Sequence, residues 1–169
     1  MITTLVVTVL ASDRPGLVKQ FSDILGAHKA NWEESQMAAL AGRFAGLLKV
    51  TVPEAHAEDL TRSLLTLHDI ENGIHVLVER GVSDLPVNGR MVVEVVGQDR
   101  PGIVQEITRC LASIGANITK MSTEQRDASM ASELLFWARI QIELTGDVNE
   151  EAVQDALESL DGQLMVDIE

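Results

Sequence analysis

The stretch Asp13-Arg14-Pro15-Gly16-Leu17-Val18 returns 86 residues later as Asp99-Arg100-Pro101-Gly102-Ile103-Val104. At the same offset Leu25 matches Leu111, and Ala30-Asn31 matches Ala116-Asn117. Each hexamer follows an apolar, β-branched run, Thr4 to Leu10 in the first copy and Met91 to Val96 in the second. Later pairs need an offset near 92, which gives the second copy about six extra residues around Arg126-Asp127-Ala128-Ser129-Met130-Ala131. One motif returning in a matched context is the mark of a duplicated unit. The reading divides the chain into residues 1–81, a linker at 82–89 and residues 90–169.

Within each copy the hydrophobic period changes in the same order. After the hexamer, Leu17, Phe21, Ile24, Leu25 and His28 recur at helical spacing, as do Ile103, Ile107, Cys110, Leu111 and Ile114. Asp13 and Asp99 stand where an N-cap is expected, and Pro15 and Pro101 suit a first helical turn. Two extended runs follow. In the second copy Phe136, Ala138, Ile140, Ile142 and Leu144 alternate with Trp137, Arg139, Gln141 and Glu143, the pattern of a sheet covered on one face. A second helix carries Leu60, Leu64 and Leu67, or Val153, Ala156, Leu157 and Leu160. A last strand holds Ile74, Val76 and Val78, or Leu164, Val166 and Ile168. The fold class is therefore α+β: two ferredoxin-like βαββαβ units, each a four-stranded antiparallel sheet with two helices on one face. Units this small have modest cores, so the two halves are expected to pack together.

Composition narrows the function. Apolar residues at 46% and charged residues at 23% are ordinary for a globular chain and exclude disorder along its whole length. The first ten residues lack the basic region and cleavage site of a signal peptide, and no apolar run is long enough to span a bilayer, so the expected address is the cytoplasm. One cysteine, Cys110, allows no intrachain disulfide and no cysteine cluster for a metal. The net charge of −13 opposes direct DNA or RNA binding, which needs cations to replace phosphate counterions. No nucleotide-binding or hydrolase motif is present, and no cofactor is expected.

The repeated junction carries the chemistry. Its glycine permits a tight turn and close approach of another group. The following helix offers unpaired N–H groups and the positive end of its dipole, which suit a small carboxylate. Asp13 and Asp99 can meet an ammonium group or cap the helix, and Asn31 and Asn117 bring both donor and acceptor if they reach the same spot.

This order of elements, with Asp-Arg-Pro-Gly-(Leu/Ile)-Val after the first strand and Ala-Asn at the second, resembles the ACT domain along nearly the whole chain. More narrowly, Ala30-Asn31-Trp32-Glu33-Glu34-Ser35-Gln36-Met37 with Gly42-Arg43-Phe44-Ala45, and Ala116-Asn117-Ile118 through Leu135-Phe136, are similar to the glycine cleavage system transcriptional repressor family. The resemblance implies regulation by a small amino acid, glycine or serine, bound where two domains pair, between the first loop of one and the edge strand of the other. By position the ligand residues are Asp13, Arg14, Gly16, Leu17 and Asn31, with Asp99, Arg100, Gly102, Ile103 and Asn117. It also implies a homodimer and a protein partner, a DNA-binding activator rather than DNA. Trp32 and Glu33 depart from the small apolar residue common after Asn31. A Trp beside the site would fill one pocket and leave a single site at the second loop, or would belong to the core.

The remaining signals point elsewhere. No Lys or Arg occurs from Gln141 to Glu169, while Glu143, Asp147, Glu150, Glu151, Asp155, Glu158, Asp161, Asp167 and Glu169 do. Glu151, Asp155 and Glu158 share a helix face, either solvated or a docking surface for a basic partner. His28, His56, His68 and His75 lack metal-ligand spacing, and Cys110 falls in an apolar stripe, buried and inert. Two alternatives stand beside the sensor. One is a ligand-free regulatory or structural subunit of an amino-acid enzyme. The other is an acylphosphatase-like hydrolase, since Arg14 with Asn31, and Arg100 with Asn117, echo that enzyme's Arg–Asn pair. Asp13 and Asp99 oppose the hydrolase, as do prolines without an N–H.

Overall fold

A computed structural model describes residues 1–82, 89–127, 133–160 and 164–169. Contacts divide the chain into units Met1–Asp84 and Leu85–Glu169. Most of the expected linker and most of the extra residues after Asp127 lie outside the described residues.

The first unit runs β1 (Ile2–Ser12), α1 (Leu17–Ala27), β2 (Asn31–Leu40), β3 (Arg43–Pro53), α2 (Glu54–Leu65) and β4 (His75–Arg80). The second repeats it as β5 (Gly89–Gln98), α3 (Ile103–Ser113), β6 (Ala116–Asp127), β7 (Leu134–Leu144), α4 (Glu150–Glu158) and β8 (Met165–Ile168). The sheet orders are β2-β3-β1-β4 and β6-β7-β5-β8, with every pair antiparallel. This is βαββαβ twice, as the changing period predicts.

Each sheet buries alternate residues against its two helices. In the first unit Leu5, Val7, Val9 and Ala11 of β1 and Leu48, Val50 and Val52 of β3 meet Leu17, Phe21 and Leu25 of α1 and Ala57, Leu60 and Leu64 of α2. In the second, Val93 and Val95 with Phe136, Ala138, Ile140, Ile142 and Leu144 meet Ile103, Ile107 and Leu111 of α3 and Val153 and Leu157 of α4. A fully buried side chain of this size contributes about 1.5–3 kcal/mol. The cores thus fix the frame on which the strand–helix loops stand.

The helix starts differ from the sequence reading. Gly16 and Gly102, not Asp13 and Asp99, are the residues before the first helical turn, at φ 86° and φ 90°, and no side chain caps either helix. Pro15 and Pro101 lie outside the helices. In each hexamer proline and glycine occupy the middle of a turn, and the glycine angles (ψ −4° and −6°) match the third residue of a type II turn. In the second copy the Ile103 N–H closes that turn on the Arg100 carbonyl at 3.4 Å. A left-handed residue delays the helix by a turn, which places the aspartates on the strand side of the junction.

Candidate functional site

Both junctions begin alike. The last strand residues pass into the turn, and the aspartate N–H is held by the neighbouring strand connection. Asp13 N–H donates to the Gly42 carbonyl at 3.0 Å, and Asp99 N–H to the Leu134 carbonyl at 2.9 Å. The first bonds of α1 and α3 run from Gln20 N–H to Gly16 and from Glu106 N–H to Gly102. The N–H groups of Val18 and Lys19, and of Val104 and Gln105, precede these and have no acceptor within their own helices.

In the second unit the junction opens onto a cleft of about 400 Å³, its wall formed by Asp99, Arg100, Gly102 and Ile103 and by Thr123 and Gln125 of β6, with Phe136 beneath. Two side-chain pairs order it. Gln125 Nε2 donates to Asp99 Oδ2 at 2.6 Å. Arg100 donates both Nη atoms to the two carboxylate oxygens of Glu106, at 2.8 and 2.6 Å. These hydrogen bonds hold the Glu106 carboxyl below the usual glutamate range, against a smaller opposing effect of desolvation. Asp99 and Arg100 are half-buried. The cleft therefore offers an acceptor for an ammonium group and helix N–H donors for a carboxylate.

The first junction has the same turn in different surroundings. Asp13 and Arg14 are exposed. The strand row Gly97–Phe136–Gln125 of the second sheet corresponds to Ala11–Phe44–Ala39 of the first, so alanine stands where Gln125 reaches its aspartate. The place of Glu106 is taken by Gln20. Nearby, the Asp69 carboxyl is held low chiefly by hydrogen bonds from Asn72, with the Arg14 charge adding a small share. Ser12 Oγ, at the end of β1, accepts from Arg43 at 3.2 Å.

The asparagines do not join either junction within their own unit. Asn31 and Asn117 open β2 and β6 and pair with Thr51 and Glu143, at the end of the sheet where β1 and β5 begin. The reason is topological: each first helix carries the chain back along the full sheet before the second strand starts. Asn117 is roughly 25 Å of strand from Gln125. The same separation removes an Arg14–Asn31 or Arg100–Asn117 pair of the acylphosphatase kind within one unit. Trp32 is likewise away from the loop. It packs against the first core, at a β-bulge between Trp32 and Glu34, and a bulge recurs between Ile118 and Lys120. The Glu33 carboxylate accepts from Thr51 Oγ1 at 2.9 Å. Sequence reasoning missed Glu106 and Gln125. Glu106 was legible as a carboxylate one helical turn past the hexamer's glycine, whereas Gln125 needs the register of β6.

Glu151, Asp155 and Glu158 are exposed on α4, opposite Val153 and Leu157. Glu143 and Glu169 are instead paired, with Arg90 and Arg139; Asp161 lies outside the described residues. His28 Nε2 is 2.8 Å from Ser63 Oγ at the end of α1, and His68 Nδ1 accepts from the Val76 N–H at 3.1 Å. Burial pushes the Cys110 thiol up. Among the described residues no cluster of His, Cys, Asp or Glu fits a metal ion, and no helix is long and apolar enough to cross a membrane.

Residues 3–78 and 89–169 each match the model of the ACT domain. The UPF0237 protein of Methanopyrus kandleri is 36% identical over 78 residues, which cover 46% of this chain and 87% of that protein. Among solved structures, an unknown protein from Galdieria sulphuraria superposes with a TM-score of 0.82 at 29% identity, covering 100% of this chain and 98% of the other. A candidate glycine cleavage system transcriptional repressor superposes with a TM-score of 0.70 at 16% identity, again over 100% and 98%.

Proposed function

Because the chain belongs to the ACT domain family, with two copies that occupy nearly its whole length, we propose that it is a non-enzymatic sensor of a small amino acid. ACT domains are regulatory, amino-acid-binding domains. The observation that carries the reading is the cleft at the second strand–helix junction, lined both by an aspartate held by Gln125 and by the start of α3. An α-amino acid has the matching ends: its ammonium meets Asp99 and its carboxylate meets the Val104 and Gln105 N–H groups at the start of α3. Asp13, Arg14, Gly16 and Leu17 are the counterparts in the first unit. Asn31 and Asn117 enter from a partner. β2 and β6 are edge strands, and antiparallel pairing of one such edge with its copy in a second molecule brings the start of the partner's strand beside the end of this one. A homodimer therefore supplies the asparagine that a single unit holds at its far end.

The output is a protein contact. The net charge of −13 disfavours nucleic acid, and the partner proposed is the one that the sequence resemblance implies, a DNA-binding activator. Ligand acts by its differential affinity for two states of the assembly. Glycine and serine are the first amino acids to try.

A thermal-shift screen of the purified protein against the twenty amino acids tests this. Ligand at 100 times its dissociation constant stabilises by about 2.7 kcal/mol, a rise of several degrees. A selective, saturable shift supports the sensor. A folded sample that responds to none of them supports a ligand-free regulatory subunit instead.

A further inference from the structure

The two junctions share a motif, yet among the described residues a side chain holds the motif's aspartate in place only at the second. We propose that the amino acid is taken by the second junction alone, one per chain, and that Gln125 is the positioning residue that makes Asp99 its ammonium acceptor. The inference rests on the amino-acid reading above.

Asp99 has two carboxylate oxygens. Gln125 Nε2 donates to Oδ2 at 2.6 Å, and among the described residues no hydrogen-bond donor stands against Oδ1. The amide is neutral, so it fixes the carboxylate without cancelling its charge. Gln125 is itself fixed by its strand row, since its backbone lies opposite Phe136, a side chain buried under the cleft. Arg100 stands next to Asp99 in sequence, but its guanidinium is turned onto Glu106 by two hydrogen bonds. Oδ1 of Asp99 is the oxygen proposed to accept the ammonium. In the first unit each arrangement is missing: Ala39 has no donor, Gln20 has no charge, and Asp13 is exposed. An exposed aspartate with free rotamers loses more entropy on meeting an ammonium group and gains less from it in water.

Calorimetric titration of the full chain with glycine and with L-serine tests the assignment, with glycolate and glycerate as analogues that lack the ammonium. The wild type binds one amino acid per chain. Gln125→Ala changes an exposed side chain, so the chain still folds. It weakens amino-acid binding roughly tenfold, the loss expected of one charge-assisted contact, and alters hydroxy-acid binding less than about twofold. The amino acid's advantage over its analogue therefore shrinks, which a merely structural role for Gln125 would not produce. Two equivalents per chain, an unchanged affinity in Gln125→Ala, or equal loss for amino acid and hydroxy acid overturns the assignment while leaving the sensor standing. Absence of binding by both amino acids overturns the small-amino-acid reading and this assignment with it.

Discussion

The first and second strand–helix junctions carry the same Asp-Arg-Pro-Gly turn, with glycine angles that differ by only a few degrees. Around the first, Ala39 and Gln20 stand in the places of Gln125 and Glu106, and Asp13 and Arg14 are exposed. Around the second, Gln125 and Glu106 bind Asp99 and Arg100 into a half-buried cleft wall. The turn is a property of local sequence. A recognising surface is a property of what the sheet register and the helix bring to that turn. Duplication preserved the first and let the second diverge.

The largest expected effect lies in the two cores. Phe21 and Ile107 occupy the same place in the two units and are fully buried. Phe21→Ala should cost about 3–5 kcal/mol and Ile107→Ala about 2–5 kcal/mol, read by denaturant unfolding. Losses of similar size would show two equivalent scaffolds under unequal loops. A negligible loss in one unit would mean that its frame is loose, and the contrast would then lie in rigidity rather than in side chains.

A smaller effect is expected at the turns. A Cβ at Gly16 or Gly102 meets no atom within 4 Å, so alanine there is disfavoured only by its positive φ. Gly16→Ala and Gly102→Ala should each lose about 1–2 kcal/mol. The stability losses should match, and amino-acid affinity should fall only in Gly102→Ala. Equal affinity losses would place both turns in the site.

The smallest effect sharpens the charge contrast. Glu106 titrates below its unfolded value because Arg100 hydrogen-bonds its ionised form. A lowered folded value means that this pairing stabilises the fold above the unfolded glutamate value and that the stabilisation is lost as pH falls through the folded one. In Arg100→Ala the Glu106 carboxyl should titrate higher, followed by carbon NMR. Arg14→Ala should move Asp69 only slightly, because Asn72 does most of the holding there. A large movement of Asp69 would show the first junction to be as tightly built as the second.

Much of this architecture is legible from local pattern. The hexamer repeat, the alternation from Phe136 to Leu144 and the helical stripes around Phe21 and Ile107 define the element order, because each reports one face of one element. What pattern misreads depends on what lies across from it. Asp13 and Asp99 look like caps until the left-handed glycine is seen to start the helix three residues later. Asn31 and Trp32 seem close to the hexamer in a chain diagram, but α1 separates them by the length of the sheet. Gln125 is invisible as a site residue because its partner is set by strand register, beyond the reach of any short window.

On the proposed assignment, the second junction recognises an amino acid and the first does not. Amide NMR spectra recorded during titration with glycine, and then with L-serine, test it most directly. Saturable shifts are expected at Asp99, Gly102, Ile103 and Gln125, with Asp13, Gly16 and Leu17 unmoved. Equal shifts at both junctions, or none at either, would contradict it.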